Sequence, residues 1–282
     1  MAENIFGGLD KIGLGMLSGM ELYEKEEEKA IKKVQEKEKK EKVIDETEFI
    51  FDKTIKCPVC DSEFKAKAIK TGKAKLLGVD EDLRPKYQGV DSLKYDSIVC
   101  NKCGYAALGR YFNYINSAQV KLIREKITPY FKGVDDKCEV FSYDEAITRH
   151  QLALANAVIK KGKVSERAYI CLKLAWLYRG KRENLPDDTA NKEKVVEELK
   201  SGEKQYIEKA YEGFSTAMYK ENYPIAGMDE WTCAYLTADL ALVCEDYTKS
   251  MKLVSDIIVS KGASEKLKDR AREIRKKAQG KV

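Results

Sequence analysis

Two short stretches carry the residues best suited to chemistry: CPVC, with Cys57 and Cys60, and CNKC, with Cys100 and Cys103. Two thiols separated by two residues serve either a redox pair or one half of a metal clamp. A redox pair of the thioredoxin sort stands at a helix N-terminus, where the dipole stabilises a thiolate. Cys60 instead leads into Glu63 to Ile69, whose alternation predicts a strand. Redox work also has no need of a second spaced pair. Zinc, by contrast, takes four soft ligands at tetrahedral corners, with sulfur about 2.3 Å from the ion, and two tight turns close that shell. The spacing therefore predicts one structural zinc held by Cys57, Cys60, Cys100 and Cys103, with a redox role or an iron centre as the alternatives. Four sulfurs leave no open position on the ion, so it is expected to hold the fold and not to react. Pro58 presets the first turn, and Gly104 follows the second pair where a positive φ is often required. Asp61 occupies the same place after the first pair, and aspartate tolerates that conformation better than most residues.

Strands are expected around these turns. The region begins at Phe49 to Phe51; Glu63 to Ile69 and Ala74 to Val79 flank a Thr71-Gly72 turn and read as a β-hairpin, and Lys94 to Val99 reads as a further strand. A module of about 60 residues with few large apolar side chains buries too little surface to stand alone, and the ion makes up the deficit. After Gly104 the spacing becomes helical, with starts expected at Asn116-Ser117, at the Ser142 to Glu145 capping box and at Ser165.

Within the helical part, Cys171, Leu174, Ala175 and Tyr178 fall on the spacing of a tetratricopeptide first helix, and Ala210, Phe214 and Ala217 on that of its second, with Pro224 closing the unit. Weaker matches lie on either side, at Ala146, His150 and Ala153 and at Ala238, Ala241, Ser250, Val254 and Ile257. A plain helical bundle is the alternative. About thirty residues separate the two halves of the main unit where a turn of a few would serve, and the centre of that stretch reads as an inserted helix. The resulting expectation is an α+β, mainly α fold: a small β zinc-ribbon-like module followed by a short tetratricopeptide-like α-helical solenoid. Its divisions are a glycine-rich amphipathic leader (1–23), a charged helical linker (24–48), the four-cysteine module (49–116) and the helical domain (117–282) with an inserted segment (180–209).

Composition narrows the function. Charged residues form 35% of the 282, but the signs nearly cancel to +5, so net charge alone does not announce a nucleic-acid binder. The apolar runs are too short to span a bilayer, and Glu3, Asp10 and Lys11 do not fit a signal peptide. A cytoplasmic location with reduced thiols is expected, which argues against reading eight cysteines as disulfides. Cys171, Cys233 and Cys244 are read as small apolar fillers on helices, and His150, the only histidine, as a packed residue. No phosphate-cradling glycine loop, nucleophile elbow or histidine–carboxylate metal pair appears, so no enzyme is expected.

The run from CPVC through DEDLRPKYQGVDSLKYDSIVCNKCGYAALGRYF resembles the bacterial family called domain of unknown function 2225 (DUF2225), which pairs a four-cysteine zinc-ribbon-like module with tetratricopeptide-like helices and has no assigned activity. The resemblance covers roughly Phe49 to Pro224 and implies metal ligation by the same four cysteines. Tyr87, Leu93, Tyr95, Gly104 and Tyr105 also match its pattern, as packing or surface positions around the metal module, whereas Asp61 replaces a glycine common in the family.

Three functions compete. The first is a non-catalytic zinc-binding adaptor whose helical domain holds a protein or peptide partner. The second is binding of single-stranded nucleic acid or RNA, suggested by Lys65, Lys67, Lys70, Lys73 and Lys75 with Tyr87, Tyr95 and Tyr105 nearby; lysines that keep an edge strand from aggregating are its plainer explanation. The third is an enzyme using Asp80, Glu81, Asp82 and Arg84, but such an acidic loop is expected to be solvated and has no nucleophile or cofactor signal beside it.

Overall fold

Each cysteine pair forms the tip of a β-hairpin, and this arrangement orders the β region. The computed structural model describes residues 45–281, so the leader and most of the charged linker lie outside the described residues. Strand β1 (Ile50–Lys56) pairs antiparallel with β2 (Glu63–Ile69), from Ile50 opposite Ile69 to Lys56 opposite Glu63, and CPVC lies in the turn between them. Strand β3 (Leu76–Val79) pairs with β4 (Pro85–Tyr87), and β5 (Ser97–Val99) pairs with β6 (Ala106–Leu108) across CNKC. The hairpin expected between Glu63–Ile69 and Ala74–Val79 does not form. Both stretches contain strands, but the knuckle turn places β2 directly against β1, and the chain beyond Gly72 turns into a second hairpin. Lys94 is likewise not in a strand: Ser92–Tyr95 is a 3-10 turn, capped by the Asp91 carboxylate accepting from the Leu93 N–H, and β5 starts at Ser97.

Seven helices follow: α1 (Ser117–Lys126), α2 (Tyr143–Ile159), α3 (Val164–Glu183), α4 (Lys192–Lys220), α5 (Glu230–Val243), α6 (Tyr247–Val259) and α7 (Glu265–Gln279). The fold is thus α+β and mainly α. Reciprocal capping boxes start α1 at Asn116 with Gln119 and α2 at Ser142 with Glu145, as their sequences predict. Ser165 does not cap α3. Its N–H and hydroxyl both donate to the carboxylate of Glu221, just past the end of α4, at 3.0 and 2.5 Å.

From α2 onward each helix packs on its neighbours in sequence, and β5 and β6 pack on α2. Val99, Ala106 and Leu108 from the second cysteine hairpin share one apolar cluster with α2, α3 and α4, so residues 46–282 form one unit. Helices α3 and α4 approach most closely. A Cβ on Gly213 would lie 2.6 Å from that of Ala168, so glycine sets the spacing there, while Ala210, Phe214 and Ala217 are fully buried against α3. Residues 180–209 comprise the last turn of α3, a short connection and the first half of α4, which lengthens the second helix of the pair rather than adding a separate one.

His150 is buried inside this packing, and its Nδ1–H donates to the Ala146 carbonyl at 2.8 Å. Burial lowers the imidazole from its ordinary 6.5 to about 4, with the nearby Asp96 carboxylate opposing the shift. The folded chain therefore keeps His150 neutral where the unfolded chain protonates it, and stability falls as pH drops from about 6.5 toward 4. The loss is on the order of 3 kcal/mol. Urea melts of wild type and His150→Leu between pH 7 and pH 4.5 should show a shallower decline for the variant; parallel curves would contradict this assignment.

Candidate metal centre

The two knuckles are built alike. In the first, the Cys57 N–H donates to the Ser62 carbonyl and the Asp61 N–H to the Cys57 carbonyl, each at 2.9 Å. In the second, the Cys100 N–H donates to Tyr105 and the Gly104 N–H to Cys100, at 2.8 and 2.9 Å. Both turns need a left-handed residue at the fourth position after the leading cysteine: φ is +61° at Asp61 and +76° at Gly104. The aspartate thus takes the glycine's conformation. Gly104 is further constrained because a Cβ there would lie 2.6 Å from Cγ of Phe131.

These turns aim four sulfurs at one point. Cys57 Sγ lies 3.7 Å from Cys103 Sγ and Cys60 Sγ 3.6 Å from Cys100 Sγ, and all four lie within 4.8 Å of one another. A tetrahedron with sulfur 2.3 Å from its centre has edges of about 3.8 Å. The four expected residues therefore form a cluster able to hold a metal ion. Cys57, Cys100 and Cys103 are buried, and Cys60 is partly exposed, with Ser62 Oγ 2.9 Å from its sulfur. The Val59 N–H donates to Cys57 Sγ at 3.4 Å. Hydrogen bonds to Cys103 and Cys57 hold the Cys100 thiol low, while the bond to Cys100 pushes Cys57 up to about 12 and Cys103 up as well. Thiols this close cannot all ionise unaided, and a dication is the group that draws such a donor set into the thiolate form.

Side chains on and just past the helices hold the knuckles. Arg124 of α1 donates through Nε and Nη2 to the Val59 carbonyl, Thr128 Oγ1 to the Cys103 carbonyl at 2.9 Å, and Asn156 Nδ2 of α2 to the Gly104 carbonyl at 3.1 Å. Sequence reasoning missed all three. Asn156 was the most visible of them, a polar residue within the apolar run ALANAVI. Tyr105 is buried and donates to the Phe112 carbonyl at 2.9 Å, beside Val59 and Ile123 in one apolar cluster. The cysteine turns and the helices therefore share a core.

The other residues singled out are dispersed. Lys65 and Lys67 stand on β2, and Lys73 and Lys75 on the connection to β3; Lys67 pairs with Asp52 at 3.4 Å and Lys73 with Glu48 at 3.1 Å. Tyr95 and Tyr105 are core residues, and their rings are unavailable for stacking on bases. The acidic loop is solvated only in part: Glu81 is exposed, as expected, but Asp82 and Arg84 are not. Asp82 and Arg84 are each 4% exposed, with Asp82 accepting from Trp176 Nε1 at 2.8 Å and pairing with Arg179 at 2.7 Å, and Arg84 pairing with Glu183 at 2.8 Å. Complementary charges on α3, Arg179 for Asp82 and Glu183 for Arg84, make that burial possible, and they lie about a hundred residues away in sequence.

Cys100→Ser should lower the metal content of the purified chain and lose hydrogen-exchange protection in both cysteine hairpins and in α1, because their contacts converge on the knuckles; protection unchanged from wild type would count against the centre. Gly104→Ala should cost roughly 2 kcal/mol or more in denaturant melts, from backbone strain plus the contact with Phe131.

No helix among the described residues is long and apolar enough to cross a membrane. No curated protein and no solved structure matches the chain. The bacterial family DUF2225, described as an uncharacterized protein conserved in bacteria, matches residues 50–278, which is most of the sequence, and the chain belongs to that family.

Proposed function

We propose that the chain is a non-catalytic scaffold of the bacterial cytoplasm, in which one structural zinc fixes the β module on a tetratricopeptide-like helical stack that holds a protein or peptide partner. The observation that carries this reading is the donor set: four sulfurs with spacings of 3.6 and 3.7 Å across the two knuckles fill a tetrahedral shell and leave no position for substrate or water. A thiolate-only set favours zinc over hard cations, and it needs a reducing compartment to persist. Neighbour-on-neighbour helix packing supports the stack, since such arrays present an extended face on which partner segments lie. Nucleic-acid binding is the weaker reading, because two of its three aromatic residues are buried and two of its five lysines are paired within the module.

Elemental analysis of the full-length chain should give one zinc per chain, and chelation should lower its thermal midpoint; well under one equivalent would remove the structural-zinc reading. In-cell crosslinking with wild type and with Val243→Glu on the helical face should recover a partner that the variant loses. A salt-dependent isotherm with single-stranded RNA that Lys65→Glu and Lys75→Glu abolish would instead favour the nucleic-acid reading.

A further inference from the structure

Away from the cysteines, a cavity of about 590 Å³ opens between the loop after β3 and helices α3, α4, α5 and α7. Carboxylates dominate its polar wall, and almost all are already matched by cations. Asp80 pairs with Lys86 at 2.8 Å and Asp82 with Arg179 at 2.7 Å, while Glu203 takes Arg179 and Arg182, each at 2.7 Å, and Glu81 takes Lys277 at 2.5 Å. Asp239 on α5 is different. It is 5% exposed and lines the cavity, yet among the described residues its carboxylate makes no hydrogen bond and no ion pair. A buried carboxylate left in this state is costly, and a cation arriving in the cavity relieves that cost.

The surroundings distinguish among cations. A hard metal ion needs about six oxygen ligands. Here the neighbouring carboxylates are committed to arginines and lysines, and among the described residues the four cysteines are the one group of metal-ligating side chains within common reach. Beside Asp239 the wall is apolar: Ile207 and Leu240 are buried, and Val243 is 51% exposed at the rim. An aliphatic stem ending in a positive charge fits both parts, with the stem over Leu240 and Val243 and the charge at Asp239. Burial, and then repulsion from Asp82 and Glu81, pushes the Asp239 carboxyl up to about 7, opposed by Lys277 and Arg179, which act on it from a distance while paired with Glu81 and Asp82.

We propose that this cavity is a recognition pocket for a lysine or arginine side chain of a partner segment, paired with Asp239; the assignment rests on the partner-holding reading above. The full-length chain and Asp239→Asn can be tested against an array of immobilised peptides with and without basic residues, and against N-acetyl-lysine methylamide and its norleucine counterpart by amide chemical shifts. The expected result is peptide binding that requires lysine or arginine and weakens at least fivefold in the variant, with saturable shifts around residues 239–243 for the lysine compound and none for norleucine. A thermal melt of the variant at or above the wild-type midpoint confirms that it folds, since the amide keeps the shape and removes the charge. Peptide binding that ignores basic residues, or that is equal in wild type and variant, would overturn the pocket and leave the partner-holding reading standing. No binding to any peptide, together with no lysine-dependent shifts, would overturn both.

Discussion

The convergence of sulfur atoms from two turns 40 residues apart is the constraint on which the β region depends. Between residues 50 and 108 there are three separate two-stranded ladders and no continuous sheet. Isolated hairpins of this size are marginal in water. What orders them is attachment at their ends: the first and third ladders meet at the cysteine cluster, and the third is packed on α2. The two knuckles satisfy the same backbone hydrogen bonds with different residues, aspartate in one and glycine in the other, because the geometry at the sulfurs, rather than the residue type, is what must be preserved.

A second, polar tie holds the loop after β3. Asp82, Arg84, Arg179 and Glu203 join the loop after β3 to α3 and α4, while Arg270 donates to the Asp80 carbonyl and Tyr235 to that of Glu81, each at 2.8 Å. Buried charges of this kind repay little of their desolvation, but a partner in the wrong position leaves a charge unmatched, so they select one placement of the loop over others. Their contribution lies in specificity more than in net stability.

How much of this was readable in the sequence depended on range. The four-cysteine cluster was legible because its paired two-residue spacing is a local property of the chain, and the helix starts at Asn116 and Ser142 were legible because their capping partners lie within a few residues. Strand pairing was not: the alternation in Glu63–Ile69 marks a strand without naming its partner, and the nearest turn suggested the wrong one. The burial of Asp82 and Arg84 was hidden for a related reason. Their charges look solvated until Arg179, Glu183 and Trp176 are brought to them by the fold. Tyr105 matched a family pattern without revealing whether it faced solvent or core, a distinction made only by the packing of Val59, Phe112 and Ile123 around it.

The bond from Glu221 to Ser165 has a mechanical meaning. Helices α3 and α4 are joined at one end by the short connection after Glu183 and at the other by a carboxylate that accepts from the Ser165 amide and hydroxyl in the first turn of α3. A pair fastened at both extremities resists splaying and transmits displacement as a single lever, so bending of the array is directed to the joints on either side of it.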